Sequence, residues 1–108
     1  MKVKDLANSD LFSVITLPQG EREIDGVYVG DLLSWVMGRA NSGDAWVTIM
    51  SNVNIVAVAT LADPACIVLS EGVEPDADAL KKAEAVGVNV LGSDKDTFAL
   101  CADISALF

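Results

Sequence analysis

Residues Ala45–Gly72 read AWVTIMSNVNIVAVATLADPACIVLSEG, and no charged side chain interrupts them before Asp63. The first six residues are β-branched, aromatic or apolar and predict a strand. The segment NVNIVAVATLAD is ambiguous by composition. Its Val and Ile content suits a strand, while its length, its Asn start and its Asp63-Pro64 stop suit a helix. A hairpin through Ser51-Asn52 would lack the glycine that a tight turn prefers, which decides for the helix. ACIVLS is a continuous apolar run of the kind buried on both faces of a parallel sheet. The stretch is therefore strand, buried helix, strand: a central βαβ unit.

The same alternation extends in both directions. KVKDLANS predicts a short helix with Val3 and Leu6 inward, and FSVITL predicts a strand that ends at the turn Pro18-Gln19-Gly20. EREIDG is polar and irregular. GVYVG, Gly26 to Gly30, predicts a second strand. Asp31 is then expected to cap a helix over LLSWVMGRA, with Leu32, Trp35 and Val36 on one face. NSGD breaks that helix. Downstream, Pro75 is expected to open a helix with Asp76 and Asp78 at its positive end, Ala77, Leu80 and Ala83 inward, and Gly87 as its stop. VNVLG predicts a strand. Ser93 with Asp96 reads as a capping box for a last helix. That helix has Phe98, Cys101, Ile104 and Phe108 on one face and Leu100 and Leu107 on another. The order predicts one domain over residues 1–108, a three-layer α/β/α fold with a mostly parallel sheet of about four to five strands.

Composition narrows the function classes. Of 108 residues 52% are apolar and 21% charged, a globular balance. Seven basic residues against 16 acidic ones give a net charge of −9, and no Lys/Arg cluster offsets it, so no nucleic-acid partner is expected. Histidine is absent, which removes the commonest general base and the commonest zinc ligand. Cys66 and Cys101 form no CxxC motif and are expected as reduced, buried thiols. The N-terminus has no apolar signal-peptide core. The run Ala45 to Ala62 is interrupted at Ser51, Asn52 and Asn54 and stopped at Asp63-Pro64, so no membrane helix is expected. These features predict a cytoplasmic protein.

In open parallel sheets, ligands bind beyond the carboxyl ends of the strands. Four junctions fall there: Gly30-Asp31, Ser51-Asn52 with Asn54, Ser70-Glu71-Gly72, and Gly92-Ser93-Asp94. Small polar residues at these places are ordinary helix caps, or they form a rim where a ligand meets backbone N–H groups. Both readings stay open from the sequence. No phosphate-loop or dinucleotide motif is present, and Lys95 is the basic residue nearest these junctions. Asp31, Glu71 and Asp94 are types that pair as acid and base or hold a divalent ion, but in a chain with 16 acids solvated surface is the simpler account. No catalytic residue, metal or cofactor is expected. Trp35 and Trp46 read as core or interface anchors before cofactor stackers.

The ordered string GVYVGDLLSWVMGRA…GDAWVTI…NIVAVA…L…ACIVLSEG, continued by EPDADALKKAEAVGVNVLGSDKDTFALC, resembles the DRTGG domain family from about Val3 to the end of the sequence. It is closest to small stand-alone members. It is similar more distantly to the N-terminal domain of HPr kinase/phosphorylase, and to modules inserted in some phosphotransacetylases and CBS-containing pyrophosphatases. The resemblance implies an α/β/α fold and a role in regulation or subunit association, not catalysis. In HPr kinase the phosphate-binding loop belongs to a separate domain. Members with the inserted module often carry Gly-Asp-Arg-x-Asp after the strand matching AWVTI. Here Ser51-Asn52-Val53-Asn54 stands in that place, without the arginine that would meet an anion.

Two helices, Val53 to Ala62 and the C-terminal one, are apolar on more than one side and need cover on both. The expectation is a non-enzymatic regulatory or assembly module acting as a homodimer. The alternative is a small-molecule sensor that binds a nucleotide or metabolite at the C-terminal edge of the sheet.

Overall fold

The computed structural model describes all 108 residues. The chain runs α1 (Val3–Ala7), β1 (Ser13–Thr16), β2 (Gly26–Val29), α2 (Leu33–Arg39), β3 (Asp44–Thr48), α3 (Asn54–Ala62), β4 (Cys66–Leu69), α4 (Ala77–Val86), β5 (Val90–Gly92) and α5 (Thr97–Leu107). The five strands form one sheet in the order β1-β5-β4-β3-β2. β2, β3, β4 and β5 are parallel, and β1 closes the far edge antiparallel to β5. The fold is the expected α/β sheet, and the helix expected within the ambiguous segment Asn52–Asp63 is present as α3.

The topology sets the layers. Each crossover from β2 to β5 steps to the next strand in the same direction. Right-handed crossovers then place α2, α3 and α4 on one face. The core residues follow this division. Val36, Ile55, Val56, Ala59, Ala79 and Ala83 pack with Trp46, Ile67, Leu69 and Val90. On the opposite face Val3, Leu6, Leu100 and Ile104 pack with Ala45, Val47, Cys66, Val68 and Leu91. Alternate residues of β3 and β4 thus serve opposite cores, and every residue of both strands is buried. The Cys66 thiol is pushed up to about 12 by burial, and both cysteines are free. No helix is long and apolar enough to cross a membrane.

Three helices face differently from the sequence pattern. In α2, Val36 is buried while Leu32 and Trp35 are exposed. Leu32 flanks the helix instead of lying in it, and Leu33, Val36 and Ala40 form the inward stripe. Trp35 lies under the guanidinium of Arg39, 3.7 Å from the ring centroid. Trp46 is the core tryptophan, fully buried, with Nε1 donating to the Gly30 carbonyl at 2.9 Å. In α4 the helix begins at Ala77, after Pro75 and Asp76, so Ala79 and Ala83 are inward, Leu80 is half-buried and Ala77 is exposed. In α5 the cap is Asp96, whose Oδ1 accepts from Ala99 N at 2.8 Å, and Ser93 takes no part in it. Leu100 and Ile104 are its buried stripe, while Phe98 and Phe108 stand in solvent. In each case the true first residue differs from the expected one, and one residue turns a helix face by about 100°.

The chain crosses from β1 to β2 along the N-terminal edge of the sheet, and polar contacts hold it there. Asn89, 2% exposed, accepts from Gln19 N at 2.8 Å through Oδ1 and donates through Nδ2 to the carbonyls of Gln19 and Ala65. Asp63 ends α3 in the left-handed region, with φ 62°. Its carboxylate accepts from Arg22 Nη1 at 2.8 Å and Ser42 Oγ at 2.6 Å, and its carbonyl accepts from Arg22 Nη2 and Gly43 N. The Arg22 guanidinium and then the Ser42 hydroxyl hold the Asp63 carboxyl below its ordinary range. Glu21 accepts from Lys2 and Lys4, which hold its carboxyl down to about 2.

Both carboxyls titrate lower in the folded chain than in the unfolded one. Their stabilisation is therefore complete above the unfolded value and is lost as pH falls through the folded one. Urea midpoints should decline from pH about 5 toward pH about 2, and Glu21→Gln should flatten that slope. A slope unchanged by Glu21→Gln would remove Glu21 from the account.

Candidate functional site

The four parallel strands end on one edge, and the loops that follow them bring the predicted residues there. What those residues do is mostly to bind each other. Asp31 is not a helix cap. Its Oδ1 accepts from Thr48 Oγ1 at 2.8 Å and from Ile49 N at 3.0 Å, which ties the end of β2 to the end of β3. Gly30 lies beside it, donating to the Val47 carbonyl and accepting from Trp46.

At the next junction Asn52 Oδ1 accepts from Asn54 N at 2.9 Å, and the Asn52 carbonyl accepts from Ile55 N. This is an Asx turn that satisfies donors of the first turn of α3. The Ser51 carbonyl accepts from Asp76 N at 2.9 Å, tethering this loop to the start of α4. Asn54 is the first residue of the helix and is exposed.

The remaining junctions form one cluster. Ser70 is fully buried, and its hydroxyl shares a 2.7 Å hydrogen bond with Thr97 Oγ1. Glu71 adopts φ 63°, a left-handed conformation that costs a side-chain-bearing residue. Its amide donates to the Lys95 carbonyl, and its carboxylate accepts from Thr97 N at 3.3 Å, at the positive end of α5. Gly72 N donates to the Ser93 carbonyl, and Ser93 Oγ accepts from Lys95 N. Asp94 is exposed.

The structure thus brings the nine predicted residues to one edge but into no common pocket. Ser93 and Asp94 border a small cavity of about 70 Å³ shared with Ser13, Ile15, Gly72 and Glu74. Gly30, Asp31, Ser51 and Asn52 border none. Ligand sites run to about 300–1,000 Å³, so this cavity suits a water or an ion in size but not a nucleotide. The loops also concentrate acid: Asp31, Glu71, Glu74, Asp76, Asp94 and Asp96 all lie in them. Lys95, the cation among them, pairs with Asp103. No side-chain group of three or more His, Cys, Asp or Glu has metal-binding geometry.

Two further hollows lie elsewhere. One of about 140 Å³ sits at the opposite edge, bordered by Arg22, Asp63 and Asn89. No sequence signal points to it, because Arg22 and Asp63 are far apart in the chain and Asp63 signals only a helix stop. The largest, of about 380 Å³, is a groove between β2 and α5.

A family model described as DRTGG domain matches residues 13–107. No curated protein matches the chain. Among solved structures, the chain is similar to the CBS and DRTGG domains of the regulatory region of Clostridium perfringens pyrophosphatase, complexed with the activator diadenosine tetraphosphate. The identity is 12% and the TM-score 0.70. The match covers 94% of this chain and 44% of that one, so this chain spans less than half of that regulatory region.

The Asx turn at Asn52 makes a direct prediction. Asn52→Ala should destabilise the fold by about 0.5–2 kcal/mol in urea unfolding, whereas Asn52→Asp should stay close to wild type because a carboxylate accepts the same N–H groups. Equal losses for the two variants would mean that the Asn52 amide group, not its oxygen acceptor, matters.

Proposed function

Because this chain belongs to the DRTGG domain family, we propose that it is a non-enzymatic regulatory or assembly module that works as a homodimer. The observation that carries this reading is the use made of the polar residues at the C-terminal edge. Asp31, Asn52, Ser70, Glu71 and Ser93 are each committed to holding one loop to the next or to a helix start. Groups held so are scaffold. A general acid or base has to be free to exchange a proton with a substrate. The similar pyrophosphatase region is likewise named as regulatory.

A second reading, a small-molecule sensor at the same edge, is favoured by the activator bound to that pyrophosphatase region. The electrostatics here argue against a polyphosphate. The edge is acidic, and Lys95 is engaged with Asp103. A neutral polar metabolite fits the edge better than a nucleotide does.

Light scattering at high micromolar concentration should report a particle of twice 11.3 kDa. A mass of 11.3 kDa there would overturn the homodimer. For the sensor reading, thermal shift against nucleotides, diadenosine tetraphosphate included, and neutral metabolites is the test. A ligand at 100 times its Kd adds about 2.7 kcal/mol to the folded state by mass action. No shift with any of them at millimolar concentration would leave the assembly reading alone.

A further inference from the structure

The two edges of the sheet are built differently. β1 is blunted: its register with β5 shifts between Val14 and Thr16, and Pro18 follows two residues on. Bulges and prolines are usual means of protecting an edge. β2 has neither. Gly26–Val29 pair in plain register with Asp44–Val47, and no strand lies beyond. An unprotected edge of this kind is a template for another chain.

The side chains beside that edge are apolar. Val27 and Val29 pair with Ala45 and Val47, which face α5, so they face α5 as well. They are 38% and 48% exposed. α5 turns Phe98, Cys101, Ser105 and Phe108 to one side, at helical spacings of three and four residues. Cys101, Ser105 and Phe108 form one wall of the 380 Å³ groove, and Gly26 and Val27 form the other. Phe98 is 84% exposed and Phe108 57%.

We propose that this β2–α5 face is the self-association surface of the chain, and that its occupant is a second copy placed by a two-fold axis normal to the sheet beside β2. This rests on the homodimer reading and deepens it by naming the surface. The face is complementary to itself. Under that axis α5 runs antiparallel to its counterpart, so Phe98 at one end of the stripe meets Phe108 of the second copy. Cys101 and Ser105, small and central, let the helices approach. Charge selects the same face. Two copies each carrying −9 repel unless they meet where acids are few, and among the residues that line the groove Asp25 is the only charged one. A basic partner protein would be drawn to the acidic C-terminal edge instead. Area agrees: at about 150–250 Å² per aromatic side chain, the exposed parts of Phe98 and Phe108 alone offer roughly 200–350 Å². A stable interface takes about 800 Å² from each copy, and Val27, Val29, the groove walls and the β2 backbone supply further surface.

The test is Phe98→Glu, at a position so exposed that the fold does not depend on it, compared with Leu61→Glu on the opposite face, where Leu61 is 72% exposed. Light scattering should give twice 11.3 kDa for wild type and Leu61→Glu, and 11.3 kDa for Phe98→Glu, with all three keeping the same circular dichroism spectrum. Ser105→Arg, in the groove wall, should behave as Phe98→Glu does and stands in for it should that variant misfold. Added salt should strengthen association of the wild type, since it screens repulsion between like-charged copies. A wild-type dimer that survives both Phe98→Glu and Ser105→Arg would overturn the surface and leave the homodimer standing. A wild-type monomer would overturn both. Association weakened by salt would also reject this apolar face.

Discussion

Two strands, β3 and β4, are buried on both faces from end to end, and the rest of the structure answers to that. A parallel sheet cannot leave a face in water when its central strands carry Ala45-Trp46-Val47 and Cys66-Ile67-Val68-Leu69. Each crossover must therefore supply a helix, and α2, α3 and α4 cover one face. The opposite face receives only α5 and the five-residue α1. α1 and α5 cover the middle of the sheet, and the cover ends before β2. The apolar groove beside β2 is thus the remainder left when a short chain covers a sheet whose two sides need equal shelter.

The polar residues at the C-terminal edge follow from the same geometry. Helices that start where buried strands stop bring unpaired N–H groups together at one edge. The chain meets them with its own side chains: Asn52 at α3, Asp96 and Glu71 at α5. Asp31 and Ser70 go further and join neighbouring loops to each other. After β3 the Ser51-Asn52 loop closes on itself and on Asp76.

Much of the fold was legible because its signals are local. β-branched runs, the Asp63-Pro64 stop and the Gly87 stop each lie within a few residues of the element they define. The helix at Asn54–Ala62 was decided by a missing turn glycine, also a local fact. Helix facing was less legible, because it depends on the first helical residue. Trp35 shares its expected face with Val36 and Phe98 shares its with Ile104, yet one residue of slip leaves both aromatic rings outward, and Ala77 likewise gives way to Ala79. The roles of the edge residues were partly legible. Asn52 meets helix donors as its type suggests, but Asp31 and Ser93 find partners chosen by tertiary placement. Arg22 with Asp63, and Asn89 with Gln19, were not legible at all, since nothing in sequence spacing pairs residues 41 and 70 positions apart.

Asp63 closes α3, receives Arg22 from the β1–β2 crossover, and receives Ser42 and Gly43 from the turn before β3. Three segments far apart in the chain thus share one residue held in a left-handed turn. When the last turn of α3 frays, all three lose their anchor together. The N-terminal edge of the sheet is therefore expected to open as one unit, with its amides exchanging with solvent deuterium at a common rate. The C-terminal edge, whose loops are tied pair by pair, is expected to release each at its own rate.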